Sequence, residues 1–203
     1  MNVLYFHGFA SSPNSEKVRS LRALLAPDVD LTTPDLNVPS FRELDFDAMA
    51  ALGVDEGRRI APRVIVGSSL GALVALRVVH EIRAPLVLIA PAIGFGERWR
   101  TKLPDGDPID VFNHALGSNA PIHRAFFLRM AELDVDRDPP SVPVTIFMGT
   151  NDESVPFAQV ASTWQQWRDR LIDDSLFVEI AKADHGLTKH VELIANEIRR
   201  RCR

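Results

Sequence analysis

Short runs of apolar and β-branched residues alternate along the chain with longer stretches whose apolar positions recur at helical spacing. Residues 3–6, 29–32, 64–66, 86–90, 144–148 and 176–180 read as strands. Their Val, Ile and Leu are nearly continuous, as in strands covered on both faces. Between them, Ser12-Pro13 looks like an N-cap followed by a first-turn proline, opening a helix to about residue 25. Further helices are expected over about 42–60 (blemished by Gly53), 70–82 and 157–171. The last carries Leu187, Val191, Ile194 and Ile198 as an amphipathic stripe. Strands alternating with helices predict an α/β fold, a mostly parallel sheet of about six strands with helices on both faces.

One stretch breaks the rhythm. About fifty residues separate the strand ending near Ala90 from the one starting near Val144, more than an ordinary crossover needs. Residues 94–117 are rich in Gly, Pro, Asp and Asn and read as irregular, and 121–133 reads as a helix bearing Ile122, Phe126, Phe127, Met130 and Leu133. The insertion, about 94–141, is either an enlarged crossover packed on the sheet or a small cap above it. With 203 residues, the chain is expected to form a single domain.

Composition narrows the function classes. A net charge of −4 and a pI near 5.9 leave no electrostatic footprint for nucleic acid. Arg199, Arg200, Arg201 and Arg203 form the one basic cluster, expected to face the negative end of the last helix or solvent. The single cysteine, Cys202, allows no intramolecular disulfide, has no partner for a zinc site, and is expected in a frayed terminus. The first strand begins at the start of the chain, without room for a signal peptide, and no apolar run approaches membrane-spanning length. Together these features predict a cytoplasmic protein without membrane or nucleic-acid partners.

The chemistry concentrates in Gly67-Ser68-Ser69-Leu70-Gly71, where a β-branched run passes through G-x-S-x-G into an Ala- and Leu-rich helix. This context makes the pentapeptide a nucleophile elbow, which lifts one serine above a sheet edge in a strand-to-helix turn. Gly67 and Gly71 are expected there because a Cβ would collide with the crowded turn. Ser69 is the nucleophile and Ser68 a packed neighbour. A serine hydroxyl needs a base. Of six histidines, His185 follows the last strand, on the same carboxyl edge as the elbow. His7 reads as a loop brace, His80 and His190 as surface residues, and His114 and His123 as members of the insertion. Asp152, just past the strand at 144–148, is placed to orient the imidazole, whereas Glu153 would face solvent and Asp184 point elsewhere. The order Ser69, Asp152, His185 is that of α/β-hydrolases. Oxyanion donors are expected from the backbone N–H groups of Leu70 and of Phe9, in His7-Gly8-Phe9.

On His7-Gly8-Phe9, Ser11-Ser12-Pro13, Gly67-Ser68-Ser69-Leu70-Gly71, Asp152 and His185, the chain resembles the α/β-hydrolase superfamily. Within it, the chain is most similar to the small YqiA-like bacterial esterases. The resemblance implies an α/β-hydrolase fold lacking the first strands of larger hydrolases, and cofactor-free cleavage of short acyl esters or thioesters. The expected function is therefore a serine esterase acting on a small-molecule ester through an acyl-enzyme, with no metal. Phe9, Phe126, Phe127 and Met130 are candidates for an apolar acyl pocket. The alternatives are a peptidase or carbon–carbon bond hydrolase using the same triad, and a non-catalytic binding protein of hydrolase shape.

Overall fold

In the computed structural model, which describes residues 1–100, 102–133 and 135–203, the apolar runs become strands. Along the chain come β1 (Asn2–Phe6), α1 (Glu16–Leu25), β2 (Asp30–Thr32), α2 (Phe46–Ile60), β3 (Val64–Ser68), α3 (Leu70–Val78) and β4 (Leu86–Ile89). The insertion contributes α4 (Phe95–Arg100), β5 (Ile109–Asn113), β6 (Ser118–Ile122) and α5 (Arg124–Glu132). Then follow β7 (Val144–Gly149), α6 (Phe157–Trp167), β8 (Leu176–Ile180) and α7 (Val191–Cys202).

The main sheet has the order β2-β1-β3-β4-β7-β8, and every neighbouring pair in it is parallel. From β1 the chain goes outward to β2, then returns to the other side of β1 for β3. That reversal leaves a crevice beyond the carboxyl ends of β1 and β3. Register brings the strand ends level, with Phe6 opposite Gly67, Ser68 opposite Ile89, and Gly149 opposite Ile180. The loops after β1, β3, β7 and β8 therefore open on one edge. Helices cover both faces. Gly53 of α2 lies against Phe6 and against Val78 of α3, while α1 and α7 pack together on the opposite face. Among the described residues no helix is long and apolar enough to cross a membrane.

Several boundaries differ from the sequence expectation. The helix expected from Ser12 starts at Glu16, because Ser12 to Ser15 form a turn in which the Ser15 N–H donates to Ser12 O and the Asn14 N–H to Ser12 Oγ. The helix expected from residue 42 starts at Phe46, where Asp45 accepts from the Ala48 N–H at 2.9 Å. Helix α3 stops at Val78, four residues early.

Among its described residues, the stretch read as irregular holds α4 and β5, which pairs antiparallel with β6 just beyond it as a hairpin. Residues 121 and 122, expected in a helix, belong to β6. The hairpin turn reaches the loop after β1, where the N–H groups of His114 and Ala115 donate to Ala10 O at 2.8 and 3.4 Å.

The carboxyl terminus is also corrected. Cys202 is buried rather than frayed. Arg201 is buried too, its side chain only 2% exposed. Its guanidinium meets Glu197 at 2.9 Å, Asp174 at 3.0 Å and Thr145 Oγ1 at 2.8 Å. Arg200 pairs with Glu197 and Asp174, and Arg199 donates to Leu24 O on α1. These arginines fasten α7 to the sheet and to α1, beyond any role at the helix end.

Candidate active site

At the end of β3 the chain turns sharply into α3. Ser69 takes φ 54° and ψ −119°, a backbone state that costs free energy for a residue with a Cβ. Three hydrogen bonds hold it there. The Ser69 N–H donates to Ile89 O at 2.9 Å, while Ser69 O accepts from the N–H groups of Ala72 and Ala92. The flanking glycines leave no room for side chains: a Cβ on Gly67 would stand 2.4 Å from Gly71 O, and one on Gly71 would stand 2.2 Å from Phe6 O.

Above the elbow, His185 Nε2 lies 3.1 Å from Ser69 Oγ. On its other side, His185 Nδ1 lies 2.7 Å from Asp152 Oδ2. The Asp152 side chain is 0% exposed. Its second oxygen accepts from the N–H groups of Ser154 and Val155 at 2.9 and 2.8 Å. A carboxylate can only accept here, so the proton sits on His185 Nδ1 and the Nε2 lone pair faces the serine hydroxyl. The three residues singled out by chain order thus form one continuous hydrogen-bonded line. Their neighbours do not join it, since Glu153 is exposed and Asp184 caps the Leu187 N–H at 3.0 Å.

The loop after β1 passes directly over the elbow, with Gly8 so close that a Cβ there would meet Ser69 Cβ at 3.2 Å. His7 braces this loop. Its Nδ1 donates to Gly8 O at 2.9 Å and its Nε2 accepts from the Leu36 N–H at 3.0 Å. Burial lowers its pKa and keeps the ring neutral, outweighing the opposing pull of Asp35. Among the described residues, the N–H groups of Phe9 and Leu70 donate to no protein acceptor. Of the remaining histidines, His80 and His114 are exposed and His123 pairs with Asp107 at 3.0 Å.

Phe9 is the centre of an aromatic cluster. Its ring centroid lies 5.7 to 6.1 Å from those of Phe41, Phe95, Trp99, Phe126 and Phe127. Phe126, Phe127 and Met130 are buried at 3, 0 and 3% exposure. They pack behind Phe9 as core rather than as an accessible wall, because α4 packs against α5. Phe9 and Trp99 keep partial exposure. Sequence reasoning missed Trp99 and Phe95, because the segment holding them was read as loop; a Phe–Trp pair four residues apart was the available signal.

Two clefts lie elsewhere. One of about 380 Å³ runs between Trp164, Arg168, Ile172 and Ser175, near the amino end of β8, and one of about 150 Å³ lies between Leu73, Phe95, Met130 and Val135. Neither is lined by Ser69, His185 or Asp152. Among the described residues no cluster of His, Cys, Asp or Glu could hold a metal ion.

Residues 2–194 match the model of a family described as "Uncharacterised protein family (UPF0227)". Solved structures of similar fold include Est1E from Butyrivibrio proteoclasticus with ferulic acid bound. It has TM-score 0.78 and 18% identity, covering 98% of this chain and 86% of that one. A putative hydrolase from Agrobacterium vitis S4 gives TM-score 0.78 at 22% identity, covering 100% and 88%. The esterase domain of a Rhodothermus marinus protein gives 0.70 at 18%, covering 98% and 86%. The fold is that of the α/β-hydrolases.

Proposed function

The chain belongs to the UPF0227 family, and we propose that it is a serine hydrolase of short-chain carboxylic esters. The observation that carries this reading is the unbroken line from Ser69 Oγ through His185 to the buried Asp152 carboxylate. A binding module has no use for a strained serine held 3.1 Å from an oriented imidazole.

The reaction follows from the geometry. Ser69 Oγ attacks the ester carbonyl carbon as its proton passes to His185 Nε2. Asp152 holds the resulting imidazolium in orientation and balances its charge. The carbonyl electron pair moves onto oxygen, where the N–H groups of Phe9 and Leu70 receive it. The imidazolium then returns its proton to the leaving alkoxide, and an acyl-enzyme remains on Ser69. Water, deprotonated by His185, reverses these steps and frees the acid. No metal or organic cofactor is required. Phe9 and Trp99 offer an apolar wall to the acyl group, and the same steps cleave thioesters.

Labelling with a fluorophosphonate probe tests the assignment. Wild-type protein should be labelled at one serine per chain. Ser69→Ala should block labelling and lower kcat on p-nitrophenyl acetate by about 10⁴-fold or more, with the fold intact. A Ser69→Ala protein with near-wild-type turnover would refute the assignment.

A further inference from the structure

Lys17 has no part in the mechanism above, and packing gives no reason for a cation where it stands. It lies on α1, and its Nζ donates to Ser68 Oγ at 2.9 Å. Ser68 directly precedes the proposed nucleophile. Gly67 faces α3, so the Ser68 side chain leaves the strand on the other face, towards α1. The buried Tyr5 hydroxyl from β1 reaches the same serine. Lys17 therefore grips the elbow from below, through the residue next to Ser69.

Lys17 is half-buried, and its ammonium, set against Ser68, gives up part of its hydration. Among the described residues no carboxylate lies within ion-pair distance of it; Asp184 and Asp152 act on it from further away. Burial brings its pKa down to about 8, against the pull of those two carboxylates. A methionine would fill similar space without that cost. A charge kept against its own burial points to a use in the chemistry.

We propose that Lys17 is a positioning residue for acyl transfer: through Ser68 it fixes the elbow, and its positive charge favours the oxyanion formed when Ser69 attacks. The proposal rests on the reading of Ser69 as nucleophile. Attack separates charge, leaving a negative oxygen and a positive imidazolium. A fixed cation beneath the elbow stabilises the first without reorganisation, and Asp152, bonded to His185, offsets its effect on the second. The groups acting on Lys17 are few. Asp152 and Asp184 come from the loops after β7 and β8. Tyr5 comes from β1 and stays neutral, since burial pushes its pKa far up. From α7, Arg199 meets α1 at its other end, at Leu24. The charge of Lys17 is present below its pKa and lost above it, so its contribution disappears as pH rises through about 8.

The test compares wild type, Lys17→Met, Ser68→Ala and Ser69→Ala on p-nitrophenyl acetate between about pH 6 and about pH 10, with melting temperatures. Wild-type kcat should fall above about pH 8. Lys17→Met should lower kcat at neutral pH by about 10- to 30-fold, keep KM within about twofold, and lose the alkaline fall. It should melt no lower than wild type, because burial outweighs the pull of Asp184 and Asp152 on the charge that has been removed. Ser68→Ala, which cuts the tether and keeps the charge, should lose several-fold in kcat and retain the alkaline fall. Wild-type kcat in Lys17→Met overturns the proposal, and so does a lower melting temperature with the alkaline fall retained, which marks a structural brace. If Lys17→Met does not fold, Lys17→Gln and the wild-type profile decide: a flat wild-type kcat, or a fall that persists in Lys17→Gln, overturns it. An active Ser69→Ala protein would sink the nucleophile assignment itself, whereas an inactive one beside a normal Lys17→Met sinks only this inference.

Discussion

Asp152 holds His185 with one carboxylate oxygen and its own loop with the other. Replacing it by Asn keeps an oxygen for the Ser154 and Val155 N–H groups but turns an NH₂ towards His185 Nδ1. That flips the tautomer, and the proton then sits on the nitrogen that should accept from serine. Asp152→Asn should therefore fold normally and lose about 10³- to 10⁴-fold in kcat, while Glu153→Gln stays close to wild type. Steady-state kinetics on the three proteins checks this. A damaging Glu153→Gln beside a harmless Asp152→Asn would move the acid to residue 153. At this scale the sequence was informative, because Ser69, Asp152 and His185 each follow a strand in an order that one geometry demands. Lys17 was not legible. A lysine just before Val18 and four residues before Leu21 looks like any helix flank until the sheet beneath it is known.

At the scale of elements, buried strands were plain from their apolar runs, and helix starts were not. Ser12-Pro13 carries the composition of a helix start, yet the crossing of the elbow by the β1 loop takes those residues into a turn first. The hairpin was hidden for a different reason. Ile109, Val111 and Asn113 alternate inward with exposed Asp110 and Phe112, but Gly and Pro on either side mask the period of two. The insertion's aromatic residues divide by depth. Phe127→Ala empties a fully buried site whose ring lies 4.6 Å from that of Trp99, and should cost about 3–5 kcal/mol while leaving acyl preference unchanged. Phe9→Ala should instead raise kcat/KM for longer acyl esters relative to acetate. Denaturation midpoints and a graded p-nitrophenyl ester series separate the two outcomes, and a changed chain-length profile in Phe127→Ala would return that ring to the pocket wall.

Across the whole molecule, stability has an acidic limit set far from the chemistry. Burial pushes the Glu197 carboxyl up, but hydrogen bonds from Arg200, Thr145 and Arg201 outweigh it and bring its pKa down to about 2. A depressed carboxyl stabilises the folded state in full above its unfolded pKa of 4.5, and this is lost as pH falls towards 2. Glu197→Gln should thus lower the melting temperature far more at neutral pH than at about pH 2.5, where most of the linkage is gone; an equal deficit at both would refute the linkage. Arg201→Ala should lower the melting temperature as well, since it removes a buried side chain and one of the two arginines that pair with Glu197 and Asp174. The hairpin staple acts over a similar reach. At the tip the His114 N–H holds Ala10 O at 2.8 Å, one residue from the Phe9 amide, while the Ala115 N–H is shared between Ala10 O and the nearer Asn113 Oδ1. Such a link tolerates change at the exposed His114 side chain and resists any change in the number of residues. His114→Ala should turn over ester at the wild-type rate. His114→Pro, which removes one donor, or deletion of Ala115, which shifts the count, should loosen the loop after β1 that carries the Phe9 N–H and lower kcat by about tenfold.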